Sequence, residues 1–127
     1  MKILWFTNTP SLGAVRFGHT SIGGGWIESL ENELKKVPQL QLGIAFHVTD
    51  NAVEPYSLNK TTYFPIAKPK IKSNIKRIID GWDHNRTINE TYLTPYLNVI
   101  KTFEPDVIHV FGTENEFGLV SSIISIP

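Results

Sequence analysis

The chain has 127 residues, 41% of them apolar, with 12 Lys plus Arg against 12 Asp plus Glu and no cysteine; this describes one globular domain, not two. Such a chain buries roughly two thirds of the surface its unfolded form exposes, so a core forms without disulfide or metal staples. The balanced charge removes the electrostatic ground for a nucleic-acid partner, and the lack of cysteine excludes disulfides, thiol nucleophiles and thiolate metal sites. The longest apolar runs, such as Ile3 to Phe6, fall far short of the ~20 residues a spanning helix needs. Asn8 and Pro10 interrupt the N-terminal stretch before it makes a signal-peptide core, so a cytoplasmic protein is expected.

Ile3 to Phe6 reads as a strand buried on both faces, as in the middle of a parallel sheet. Thr7 to Ser21 is a long polar connection rich in Gly, Ser, Thr, Asn and Pro, and long connections in compact domains are usually functional. After Gly23, Gly24 and Gly25 a helix is predicted with Ile27, Leu30, Leu34 and Val37 inward and Glu28, Glu31, Asn32, Lys35 and Lys36 off that stripe. Glu31 and Lys35 are an i,i+4 pair, and Pro38 stops the helix. Leu40 to Thr49 alternates as a second strand with one less apolar face. Asp50 to Lys60 carries turn residues, and Thr61 to Ile66 reads as a third strand that Pro65 places near an edge or an end.

Ile71, Ile75, Ile78 and Ile79 return to helical spacing, with Gly81 as a stop. Around them Lys68, Lys70, Lys72, Lys76 and Arg77 make the one locally basic stretch, a solvated helix face or a docking point for an anionic surface. Thr87 and Glu90 have capping-box spacing; Pro95 is expected to interrupt that helix, with Thr94 capping a restart that carries Tyr96, Ile100 and Phe103. Val107 to Phe111 is a fourth strand closed by Gly112, Leu119 to Ile124 a further helix, and Ile126-Pro127 the start of another element. Strands separated by helices imply crossovers onto a mostly parallel sheet, hence an α/β three-layer Rossmann-like sandwich. In such sheets ligands gather beyond the carboxyl ends of the strands, here the Thr7 to Gly25 loop and the residues after Val110.

At that edge Gly23, Gly24 and Gly25 would let backbone N–H groups approach a phosphate at a helix start; turn dihedrals and close packing are the plain alternative. His109 lies near the carboxyl end of the fourth strand, where an imidazole could hydrogen-bond a substrate hydroxyl or simply sit satisfied in the core. Thr113 and Glu114 follow directly and suit sugar hydroxyls or capping, and Arg16 and His19 could pair with an anion or with water. The dinucleotide fingerprint fails: Glu28 follows Gly25 where Gly or Ala is needed, and the turn is too long. Asp50 at the end of the second strand holds the place of a ribose-binding acid, but reads first as an ordinary solvated turn residue. No His pair has metal-ligand spacing, and neither a P-loop nor a nucleophile elbow is present.

The start MKILWF with its polar loop, the segment GGGWIESLENELKK and the segment FEPDVIHVFGTENEFGLV together resemble the N-terminal domain of the bacterial GT-B glycosyltransferases known as group 1 or family 4. The resemblance spans essentially the whole chain, in order and at suitable spacing. It implies a domain, residues 1–127, that binds the sugar acceptor, while a second domain, with no counterpart here, binds a nucleoside-diphosphate sugar. It implies metal-independent transfer with retention to a glycan or lipid-linked acceptor, as in polysaccharide biosynthesis. Gly23, Gly24 and Gly25 match the family's glycine-rich loop near the donor phosphates, and Thr113 with Glu114 would line the acceptor cleft. His109 matches the first position of a frequent His-x-His element, whose second position is Phe111 here. His109 and Glu114 are the expected catalytic or acceptor-positioning groups, with Arg16 as an anion partner and no metal. Such a half enzyme is expected to be inactive alone and cytoplasmic, with peripheral membrane contact through the basic stretch. A nucleotide-cofactor oxidoreductase or epimerase domain, or a non-catalytic carbohydrate-binding domain, are the alternatives.

Overall fold

The apolar run after Met1 forms β1 (Lys2–Thr7), in which Leu4, Trp5 and Phe6 are all buried. The computed structural model describes residues 1–17, 25–49, 53–67, 90–112, 117–120 and 124–127. Next in order come a 3-10 helix (Ser11–Phe17), α1 (Gly25–Leu34), β2 (Gln41–Val48), β3 (Tyr56–Leu58) and β4 (Thr61–Ala67). They are followed by α2 (Glu90–Phe103), β5 (Val107–Val110) and α3 (Phe117–Val120). The strands make one mostly parallel sheet in the order β3-β4-β2-β1-β5, with β3 alone antiparallel. The α/β class and the parallel sheet are as expected.

Period-two alternation divides the core between the faces of the sheet. Leu4, Phe6 and Ala45 pack with Tyr96, Ile100 and Phe103 of α2 and with Phe117 and Val120 of α3. Trp5, Leu42, Ile44 and Phe46 pack with Ile27 and Leu30 of α1 and Phe17 of the 3-10 helix. The less apolar face of β2 is used for close approach: a Cβ on Gly43 would stand 3.1 Å from both Leu4 and the Phe103 ring. A larger residue there would lift α2 off the sheet.

Several local expectations are corrected. Part of the long polar connection is a 3-10 helix. The turn region before β4 contains the short strand β3, joined to β4 through Asn59 and Lys60, whose φ values of 48° and 71° fit a two-residue hairpin turn. Lys60 stands where glycine usually signals that turn, which hid the hairpin. Pro65, by contrast, fits its expected place near an edge or an end: it pairs with Phe46 of β2 two residues beyond the last β3 partner, Tyr63, and among the described residues β4 has no neighbour on its other side there.

The helix α1 ends at Leu34 and passes into a turn, leaving Val37 exposed, while Glu31 points inward and is fully buried. Pro95 does not interrupt α2, which runs from Glu90 to Phe103; the helix absorbs one lost backbone bond because Leu93, Tyr96, Val99, Ile100 and Phe103 bury a continuous stripe. The last described helix begins at Phe117, not Leu119, and Ile124 lies outside it. Pro127 accepts a 2.8 Å hydrogen bond through its carbonyl from the Ile108 N–H, so the terminal segment runs beside β5. The helix expected around Ile71 to Gly81, its basic companions and Thr87 lie outside the described residues. Among the described residues no helix is long and apolar enough to cross a membrane.

Candidate functional site

The chain leaves β1 toward β2 and β4 and later returns to place β5 on the other side of β1. That reversal opens a crevice beyond the carboxyl ends of β1 and β5. A cleft of about 380 Å³ lies there, lined by Asn8 and Thr9 after β1, Trp26 and Ile27 at the start of α1, and Val110, Phe111 and Gly112 at the end of β5. The Phe111 N–H donates to the Phe6 carbonyl at 2.8 Å, which extends the pairing one residue past β5. Gly112 then turns the chain away at φ 86°, a value that glycine adopts without strain.

One wall of the cleft is aromatic. Trp26 is 60% exposed, and its ring lies 5.3 Å from that of Phe111. Trp5 meets Phe111 edge-on at 5.0 Å, and His109 stacks on it at 4.0 Å with an interplanar angle of 16°. Phe111 is thus met by three rings: stacked by His109 and touched edge-on by Trp5 and Trp26. Thr9, also in the lining, carries a polar anomaly: its Oγ1 is buried and has no hydrogen-bond partner among the described residues. Buried hydroxyls nearly always have a partner, so an unmatched one is an exception among the described residues.

Gly25, the first residue of α1, has no atom of the described residues within 4 Å of where a Cβ would stand, and its φ is not in the left-handed region. Neither packing nor turn dihedrals therefore require glycine at this position. The backbone at the helix start is left bare.

Of the other expected site residues, His109 is exposed on β5 and stands outside the cleft lining, with Phe111 between it and Trp26. Arg16 sits on the 3-10 helix, exposed, with its guanidinium 4.3 Å from the centre of the Tyr56 ring and not in the cleft wall. Gly23, Gly24, Thr113, Glu114, His19 and Asp50 lie outside the described residues. Asn8, Thr9, Trp26 and Phe111 were not singled out as site residues from sequence. The signal for Trp26 was its position immediately after the glycines, where the helix pattern needs no apolar residue.

Beneath the 3-10 helix lies a second feature that sequence reasoning put on the surface. The Glu31 carboxylate is fully buried and accepts hydrogen bonds from Ser11 Oγ at 2.6 Å, Thr61 Oγ1 at 3.0 Å, the Leu12 N–H at 3.3 Å and the Tyr63 hydroxyl. Lys35 Nζ completes it at 2.6 Å, the expected i,i+4 pair turned inward. Burial presses this carboxyl upward, but hydrogen bonds from Lys35, Ser11 and Tyr63 outweigh it and hold it below its ordinary 4.5. Tyr63 is pushed well above the usual phenol range, first by burial and then by its bond to Glu31. Tyr56, which donates to the Gly13 carbonyl at 2.8 Å, is pushed up to about 12, mainly by burial. Glu31 lies four residues after Ile27 and three before Leu34, so helical spacing alone marks it as inward.

On the other face of the sheet His47, at the end of β2, meets the Tyr96 hydroxyl at 2.9 Å and stacks on Phe117 at 4.6 Å. Among the described residues no three His, Asp or Glu side chains gather in a way that would hold a metal ion. Comparison with protein-family models, with curated proteins and with solved structures finds no match to this chain.

Proposed function

We propose that this chain is the acceptor-side, three-layer Rossmann-like domain of a metal-independent retaining GT-B glycosyltransferase. In this reading the cleft at the β1/β5 crevice receives the sugar acceptor, and the start of α1 faces the diphosphate of a nucleotide-sugar held by a second domain. The observation that carries the proposal is the placement of the cleft at the strand reversal beside the bare backbone of Gly25. Backbone N–H groups at a helix start are suited to stabilising the negative charge that develops on a leaving diphosphate. The sequence segments that resemble the family include residues on both sides of this cleft: Trp26 and Ile27 follow the glycines, and Val110 to Gly112 follow Pro105-Asp106-Val107.

His109 and Phe111 share a face of β5, so the residue in the second position of the His-x-His element lines the cleft and the first stacks behind it. This arrangement makes Phe111 the contact residue and His109 its support. Glu114 and Thr113, two and one residues beyond Gly112, keep their proposed role at the acceptor rim. The domain works in the cytoplasm in this reading, with the Lys68 to Arg77 stretch as its point of membrane contact.

Calorimetric titration of the chain separates this proposal from a nicotinamide-dependent alternative. Methyl glycosides of common hexoses are expected to bind weakly and NADH not at all; micromolar NADH binding without sugar binding would replace the glycosyltransferase reading with the oxidoreductase one.

A further inference from the structure

Where the chain passes from β1 into the 3-10 helix, two unfavourable features fall within three residues. Among the described residues five non-glycine residues have positive φ, and four of them, Gln39, Asn59, Lys60 and Glu104, are exposed. Ser11, at φ 51°, is 3% exposed and opens the 3-10 helix. The left-handed region is costly for a serine backbone, so a residue stays there only where its surroundings hold it. Two residues earlier the buried Thr9 Oγ1 has no hydrogen-bond partner among the described residues, and an unmatched buried hydroxyl adds a cost of its own.

Ser11 Oγ donates to Glu31 at 2.6 Å, and the Leu12 N–H donates to the same carboxylate oxygen at 3.3 Å. The body of the 3-10 helix is anchored separately, by the Tyr56 hydroxyl on the Gly13 carbonyl at 2.8 Å and by the buried Ala14. At the exit from β1 the Thr7 hydroxyl donates to the Thr9 carbonyl. Between these fixed ends, the Ser11 hydroxyl fastens the left-handed residue itself.

We infer that the segment from Thr9 to Ser11 is a strained, two-state part of the cleft lining. In the observed arrangement it is latched by the Ser11 hydroxyl on Glu31; in the other, Ser11 leaves the left-handed region and the Thr9 hydroxyl gains a partner. Unlatching displaces Thr9 and its neighbour Asn8, both in the lining, while the sheet stays intact. Such an opening is local and separate from global unfolding. A ligand that fits the observed lining favours the latched state, and the latched state favours that ligand by the same factor. The device works for whatever class of ligand the cleft takes and does not rest on the acceptor-side reading.

The experiment is amide hydrogen exchange, followed by NMR, on the unaltered chain, Ser11→Ala, Ser11→Gly, and Ser11→Ala combined with Thr9→Val. The reporters are the Gly13 N–H, bonded to the Pro10 carbonyl at 3.0 Å, and the Leu12 N–H. The amide of Trp5 in β1, which has strands on both sides, reports global opening. Alanine and glycine both delete the hydroxyl and leave Glu31 one donor short, but only glycine adopts φ 51° without strain. The difference between them isolates the backbone. Relative to Trp5, Ser11→Ala is expected to exchange about tenfold faster at Gly13 and Leu12, and Ser11→Gly no more than about twofold faster. Adding Thr9→Val to Ser11→Ala is expected to recover part of the protection, because valine has no hydroxyl to satisfy by relaxing. Equal rates in Ser11→Ala and the unaltered chain would overturn the latch, and equal acceleration in the alanine and glycine variants would overturn the strain. No recovery on adding Thr9→Val would overturn the part assigned to the Thr9 hydroxyl.

Discussion

Ser11 and Glu31, twenty residues apart in sequence, meet in a buried hydrogen bond of 2.6 Å. That bond fastens the 3-10 helix to α1, and the bonds from Thr61 and Tyr63 fasten α1 in turn to β4. Asn8 and Thr9 of the cleft lie just before the 3-10 helix, and Trp26 lies five residues before Glu31 on α1. A single carboxylate therefore holds in register two of the three segments that build the site. A buried charge is tolerated here because its oxygens are met by donors and by the Lys35 ammonium.

Glu31→Gln tests that role. The amide keeps the shape but replaces one acceptor oxygen with a donor facing hydroxyls, and it leaves Lys35 without its counter-charge. The substitution is expected to lower unfolding stability by about 3 kcal/mol, in the range for breaking a buried pair. A urea denaturation midpoint equal to that of the unaltered chain would contradict it.

Acid should act through the same group. The folded-state pKa of Glu31 lies below the ordinary 4.5, so its contribution is complete above that value and is lost as pH falls through the folded-state pKa. The urea midpoint of the unaltered chain is expected to drop toward that of Glu31→Gln as the pH is taken from neutral to about pH 3. A constant gap between the two proteins over that range would show that Glu31 does not titrate as described.

Two glycines make a contrasting pair. A Cβ on Gly13 would stand 2.6 Å from the Tyr63 ring and 2.8 Å from the Tyr56 hydroxyl, whereas one on Gly25 would meet none of the described residues. Gly13→Ala is expected to destabilise the fold by about 2 kcal/mol, as overpacking against held rings does. Gly25→Ala is expected to leave thermal stability unchanged or slightly raised. Thermal melts of the two variants check this, and equal losses would contradict the claim that α1 begins in open space.

Local pattern carried much of the architecture. β1, β2 and β5 were legible because apolar runs and alternation report burial directly, and α2 because Tyr96, Ile100 and Phe103 keep helical spacing through Pro95. The hairpin strand β3 was not, because Asn59-Lys60 adopts positive φ without the glycine that normally announces it. Glu31 was misplaced because a charged side chain was read as outward, although its spacing from Ile27 and Leu34 put it on the inward stripe. Three expectations converged on the end of the sheet where the cleft lies: the loop after β1, the glycines before α1 and the residues after Val110. The cleft residues themselves were hidden because Thr9, Trp26 and Phe111 are brought together by strand order, which no local window contains. Arg16 illustrates the converse: as a loop cation it suits an anion, but the 3-10 helix places it over Tyr56.

The central claim is that the crevice where strand order reverses is the acceptor site. The most direct test is a backbone amide chemical-shift map of the chain titrated with the best-binding methyl glycoside. The shifts are expected to cluster on Asn8, Thr9, Gly25, Trp26 and Val110 to Gly112. Shifts centred instead on His47, Tyr96 and Phe117, across the sheet, would contradict it.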